Sequence, residues 1–149
     1  MHLSRLAACA ALALAATAIQ AFDNAALFSQ SLVSTGDLSR VRQVMAKAQR
    51  GERVTVAVIG GSITQGAKAT KPELRYGNLM ADWWRKAFPK AEIAFVNAGV
   101  GATGSNFGAL RAKRDLLVHQ PDFVVVEYGV NDGNTQAFAE TLEGLVRQI

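Results

Sequence analysis

Ser62 stands directly behind two glycines, in Gly60-Gly61-Ser62-Ile63-Thr64. A serine hydroxyl becomes an acyl-transfer nucleophile when a base takes its proton and when nearby N–H groups hold the oxyanion that forms next. The flanking glycines leave little side-chain bulk to block a substrate carbonyl. Two later stretches suit the second task. Asn97-Ala98-Gly99-Val100-Gly101-Ala102-Thr103 is a Gly-rich loop whose backbone N–H groups permit close approach. Tyr128-Gly129-Val130-Asn131-Asp132 adds a neutral side-chain donor at Asn131. Together they offer an oxyanion hole made of the Ser62 N–H, an N–H of the second loop and the Asn131 amide. Loss of one such donor typically slows catalysis about 100- to 1000-fold.

These groups work together only if the fold brings them together. Val54 to Ile59 is β-branched and apolar and stops at Gly60-Gly61, which predicts a buried strand. Ile93 to Val96 predicts a second, ending at Asn97-Ala98-Gly99, and Phe123 to Tyr128 a third, ending at Gly129. Helical periodicity lies between and around them. The first helix carries Leu38, Val41, Met45 and Ala48 on one face, with Ser34, Thr35 or Asp37 as possible caps and Gly51 at its end. A second runs from about Tyr76 to Phe88 with Leu79, Met80, Trp83 and Ala87 as its apolar face, and Pro89 ends it. A third runs from about Phe107 to Val118. A fourth begins near Gln136, with Phe138, Leu142, Leu145, Val146 and Ile149 in phase. The two Trp residues read as helix packing in preference to a sugar platform.

Strand-then-helix units predict an α/β protein: a parallel sheet between two helical layers. In such sheets ligands bind at the carboxyl ends of the strands. With a flavodoxin-like strand order of 2-1-3, all three loops converge over Ser62.

At this point the residues resemble a known family, the SGNH hydrolases or GDSL-like lipases and esterases. Gly60-Gly61-Ser62-Ile63-Thr64 resembles the first family block in its Gly-Gly-Ser-Ile-Thr form. Asn97-Ala98-Gly99-Val100-Gly101 resembles the second, and Gly129-Val130-Asn131-Asp132 the third. The resemblance spans Val54 to Asp132. It implies the three-layer SGNH hydrolase fold, with Ser62 as nucleophile and oxyanion donor and Asn131 as the oxyanion side chain. The backbone donor of the second block would be Gly101 or Ala102: the family's oxyanion glycine aligns with Ala102, beside Gly101. Members of this subtype resemble carbohydrate O-acetylesterases, so a small-molecule or glycan ester is the expected substrate. No cofactor is implied.

The family's fourth block, an Asp-x-x-His that completes the triad, is absent. His2 falls in the leader, and His119 precedes the third strand. Six strand residues at ~3.3 Å each place His119 about 20 Å from the Ser62 end, beyond the ~3 Å reach a general base needs. Without a histidine to orient, Asp132 reads as an ordinary loop residue. The chain is therefore expected to be inactive alone. The fourth helical pattern meets Ile149 without a stop signal, and three strands are few for an open sheet. Both features read as the front part of a longer hydrolase domain over 37–149.

Other motifs fit these residues less well. Gly61-x-x-x-x-Gly66 follows a strand, as a phosphate loop would, but Ala67, Lys68 and Ala69 follow where Lys and then Ser or Thr are required. A nucleophile elbow, G-x-S-x-G, fails at Thr64. A non-catalytic glycan-binding relative, or a fragment that merely folds, is the alternative from another class. Nucleic acid is not an expected partner: the net charge of +4 is scattered with no basic cluster. With 50% hydrophobic and 19% charged residues, the chain has the composition of a folding domain.

The amino terminus reads as an export signal over 1–21, followed by a lead-in over 22–36. His2 and Arg5 precede an uncharged run from Leu6 to Ile19, and cleavage fits after Ala18 or Ala21. That run is too short for a membrane span, which needs ~20 residues, so no stable membrane anchor is expected. Leu6-Ala7-Ala8-Cys9 has the look of a lipoprotein box but precedes the apolar run. Cys9 is the only cysteine and would leave with the signal. The mature chain then has no disulfide and no cysteine metal site, and no metal cluster is visible. A periplasmic or extracellular location is expected.

Overall fold

A computed structural model describes residues 29, 30, 32, 34 and 36–149. The expected signal, 1–21, lies outside the described residues, as does most of the lead-in. One compact unit, Leu38–Ile149, contains every element below. The order is α1 (Ser39–Gln49), β1 (Val54–Gly60), α2 (Ser62–Gln65), α3 (Tyr76–Ala87), β2 (Ile93–Gly99), α4 (Ser105–Asp115), β3 (Phe123–Glu127) and α5 (Gln136–Gln148). Short 3-10 turns sit at Pro72–Leu74 and Leu117–His119. Among the described residues no helix is long and apolar enough to cross a membrane.

The sheet has the expected parallel order, β2-β1-β3. Its register explains much of the site. Gly60 pairs with Gly99 on one side and with Glu127 on the other, so all three strands end in one row. The loops that follow therefore start side by side.

The central strand is buried along its whole length. Side chains alternate along a strand. Val54 and Val56 join Ala48, Ala81, Trp84 and Phe88 beneath α1 and α3. Ala57 and Ile59 face the other way, toward Ala112, Leu116, Tyr128 and Leu145 beneath α4 and α5. Burial of each Val or Ile contributes roughly 1.5–3 kcal/mol. A strand covered on both faces has little room for polar groups, which is why Thr55 alone interrupts the apolar run Val54–Ile59.

Helix faces depart from expectation. On α3 the residues turned inward are Gly77, Ala81 and Trp84, while Leu79 and Trp83 are about half exposed. The reason is distance. Gly77 lies so close to the sheet that an added Cβ would come within 2.8 Å of the Phe95 ring. Small residues set that approach, and Trp84 then stacks on Phe88 and Phe123 at 5.2 and 5.5 Å. Trp84 is thus a packing residue, as expected. Trp83 stays at the surface, edge-on to Trp84 at 5.7 Å. On α5 only Leu145 is fully buried, and Leu142, Val146 and Ile149 are exposed. Leu38, not a polar residue, occupies the cap position of α1. β3 ends one residue early, so Tyr128 opens the turn, and α4 starts two residues early at Ser105.

Asp122 ties the amino end of the sheet together. Its Oδ1 pairs with Lys47 of α1 at 2.6 Å, and its Oδ2 accepts the Thr55 N–H at 2.9 Å. Asp122→Ala should therefore lower unfolding free energy by about 2 kcal/mol, measured by urea denaturation at neutral pH. A loss below about 0.5 kcal/mol would mean that solvent already screens both bonds.

Candidate active site

Gly61 makes the last bond of the sheet, from its N–H to the Glu127 carbonyl at 3.3 Å. The chain then turns into α2, a single helical turn that begins at Ser62, with Gln65 N–H bonded to Gly61 O at 3.0 Å. Sequence reading missed this helix because four residues show no periodicity. As its first residue, Ser62 has no partner for its N–H inside the helix. Ser62 is half-buried, Thr64 is fully buried and Ile63 is exposed.

Three polar contacts hold α2. The Asn97 amide donates to Thr64 O at 2.9 Å, and the same side chain accepts the Gly99 N–H at 2.8 Å. Asn97 thereby fastens the serine turn to the second loop. Thr64 Oγ1 lies 2.9 Å from the Tyr76 hydroxyl and 3.4 Å from a Glu127 carboxylate oxygen. Because the carboxylate only accepts, Thr64 donates to Glu127 and Tyr76 donates to Thr64. Burial, with the Glu127 charge adding to it, pushes the Tyr76 phenol above its ordinary value, so it stays protonated and able to donate. Asn97 and Thr64 stood in the motifs, but their partners were not readable, and Glu127 carried no signal beyond its place at the end of the third strand.

The predicted residues do meet. A Cβ on Gly61 would collide with Asn131 Oδ1, so the Asn131 side chain lies directly over the glycine that precedes Ser62. A Cβ on Gly101 would stand 3.9 Å from Ser62 Cβ. Ser62, the second loop and Asn131 therefore border one small space at the strands' carboxyl ends. The Asn131 and Asp132 N–H groups both bond to Tyr128 O, at 2.9 and 2.8 Å, which sets the third loop. Ala102 adopts φ +57°, the left-handed region. Glycine is the residue for which that conformation is free of strain.

Two residues are placed elsewhere. His119 is exposed at the sheet's amino-terminal edge, the far end from Ser62. Asp132 accepts the Ser105 N–H through Oδ1 at 2.9 Å, at the start of α4, while its Oδ2 is buried without a hydrogen-bond partner. It acts there as a helix cap brought from another loop.

Comparison with known proteins agrees with this geometry. The family model of the GDSL-like lipases and acylhydrolases matches residues 58–149. The chain belongs to that family. Among solved structures it is similar to a two-domain esterase active on acetylated mannans, co-crystallized with mannopentaose. Identity is 51%, the TM-score is 0.74, and the match covers 75% of this chain and 31% of that one. The lipase/acylhydrolase from Enterococcus faecalis is more distant, at 26% identity and TM-score 0.50, covering 64% of this chain and 52% of that one. The chain thus spans about a third of the mannan esterase's length. No curated protein matches the sequence.

The family member's left-handed Ala102 has a measurable consequence. Ala102→Gly should leave stability unchanged or raise it by up to about 1 kcal/mol. Ala109→Gly, inside α4, should lower it by about 1 kcal/mol. Thermal unfolding of the two variants separates these outcomes, and an equal loss at both sites would remove the strain assigned to Ala102.

Proposed function

We propose that this chain carries the nucleophile and oxyanion hole of an exported serine esterase that removes O-acetyl groups from carbohydrate. The observation that carries this reading is the meeting of Ser62, the Gly101–Ala102 loop and Asn131 at one row of strand ends. Ser62 Oγ attacks the ester carbonyl. The Ser62 N–H, the N–H of Gly101 or Ala102 and the Asn131 amide hold the resulting oxyanion. These donors are fixed before substrate arrives, which is what makes such a site effective. The acetylated-mannan activity of the similar two-domain esterase supports a glycan ester as substrate. The charge-free run from Leu6 to Ile19 behind His2 and Arg5 supports export.

The chemistry also needs a base, and no histidine among the described residues lies near Ser62. An Asp-x-x-His segment from outside 38–149 fills that role in this proposal. Ser62 without a base is a weak nucleophile. Residues 1–149 alone should therefore hydrolyse p-nitrophenyl acetate at the background rate. The same residues in a longer chain that supplies Asp-x-x-His should release acetate from acetylated mannan. There Ser62→Ala should cost about 1000-fold or more, and Asn131→Ala about 100- to 1000-fold. Robust Ser62-dependent turnover by residues 1–149 would refute the need for an added base. Glycan binding without turnover in the longer chain would favour a non-catalytic module.

A further inference from the structure

Arg111 is one of the few charged residues in the core, 3% exposed on the inner side of α4. A buried cation is costly unless it is paired and hydrogen-bonded. Its bonds are specific. Nη2 donates to the Gly60 carbonyl at 3.3 Å and to the Tyr128 hydroxyl at 3.0 Å. Nη1 donates to Asp115 at 3.2 Å. Hydrogen bonding to Arg114, and to Arg111 after it, holds the Asp115 carboxyl down at about 2, so the partner of the buried cation is ionised. The Phe107 ring lies 5.8 Å from the guanidinium carbon.

The Arg111 Nε is buried without a hydrogen-bond partner, so the cation is held through its two terminal nitrogens alone. Gly60 is the last residue of β1, two before Ser62, and its carbonyl also accepts the Val100 N–H of the second loop at 3.0 Å. Tyr128 is the residue whose carbonyl holds the Asn131 and Asp132 N–H groups. Gly108 of α4 lets the Tyr128 ring come this close, since a Cβ there would collide with its hydroxyl. One end of the planar fork, Nη2, thus grips the root of the serine turn and the root of the Asn131 loop together, while Nη1 is held by Asp115.

We propose that Arg111 is a positioning residue that fixes the Ser62 turn and the Asn131 loop in register, and so sets the geometry of the oxyanion hole. This rests on the roles given above to Ser62 and Asn131. Lysine would keep the charge but lack the second nitrogen that pairs with Asp115 while the first holds Gly60 and Tyr128. Tyr128→Phe would remove one link and leave the core filled.

Amide hydrogen exchange of the 149-residue chain tests this without requiring activity. Site amides are those of Val100, Asn131 and Asp132. Reference amides are those of Val54 and Thr55, bonded to Glu92 O and Asp122 Oδ2 at the opposite end of the sheet. Arg111→Met should speed exchange at the site amides about tenfold or more relative to the reference amides, the order expected from losing a charge-assisted hydrogen bond. Arg111→Lys should recover part of that protection, and Tyr128→Phe should loosen Asn131 and Asp132 in particular. Leu145→Ala, a core truncation that removes no hydrogen bond of the fork, should speed all five alike. Equal acceleration at both ends of the sheet in Arg111→Met would reduce Arg111 to a core link and overturn the proposal. Should that variant not fold, unchanged exchange at Asn131 and Asp132 in Tyr128→Phe overturns it equally. In an active longer chain, Arg111→Lys should lower kcat with little change in KM. If Ser62→Ala leaves turnover intact there, the functional reading fails while the exchange result still decides the role of Arg111.

Discussion

The site depends on how closely three loops can approach at the end of β1. Gly60 and Gly61 carry no side chain where the strand gives way to α2. Thr64 and the Glu127 backbone close against Gly60, and Asn131 lies over Gly61. A single methyl at either position would push these groups apart. Packing at this density transmits such a displacement instead of absorbing it. The backbone ladder reinforces the constraint, since Gly60 stands in register with Gly99 and Glu127. Loop proximity is thus inherited from sheet register, with no long loop folding back to create it.

Behind that row of backbone lies a second layer that is polar and partly buried. Asn97 links Thr64 and Gly99, Thr64 links Tyr76 and Glu127, and Arg111 links Gly60 and Tyr128. Each tie joins groups from two different segments of the chain. Thr64, Arg111 and Tyr128 are buried and have no water to exchange for, so breaking one of their ties strands its partner at about 1–3 kcal/mol. The layer therefore resists rearrangement more than an apolar filling of equal volume would. That resistance has a chemical use: oxyanion donors help most when they need not reorganise as charge develops.

Much of this was legible in the sequence, and the part that was not has a common cause. Strands β1 and β2, their parallel order beside β3 and the meeting of Ser62, Gly101 and Asn131 followed from apolar runs ending at Gly-rich turns. Those signals are local and lie within a few residues of one another. The inner faces of α3 and α5 did not follow. Periodicity ranks Leu79 and Trp83 as core and Gly77 as filler, whereas close helix–sheet approach inverts that order. Arg111 was invisible for the same reason: a charged residue on a helix scores as surface until its partners, Gly60 and Tyr128, are known from other segments. Asp132 is the reverse case. It stood beside Asn131 in a motif and invited a catalytic reading, yet its carboxylate caps α4.

The division of labour within the site follows from these ties. Everything that would hold the oxyanion belongs to β1, β2, β3 and the turns directly after them, and those turns are bound to one another. That set contains no histidine to take a proton from Ser62: His119 lies at the opposite edge, and Asp132 accepts the Ser105 N–H through Oδ1. Electrostatic stabilisation and proton transfer are therefore structurally separate tasks here. The first can be fully formed while the second is missing. Ala102 shows how far the first task tolerates change. Alanine at φ +57° keeps its N–H and adds only backbone strain, so both Gly101 and Ala102 have an N–H to offer. A donor set built from backbone can vary in sequence so long as the register of Gly60, Gly99 and Glu127 holds it in place.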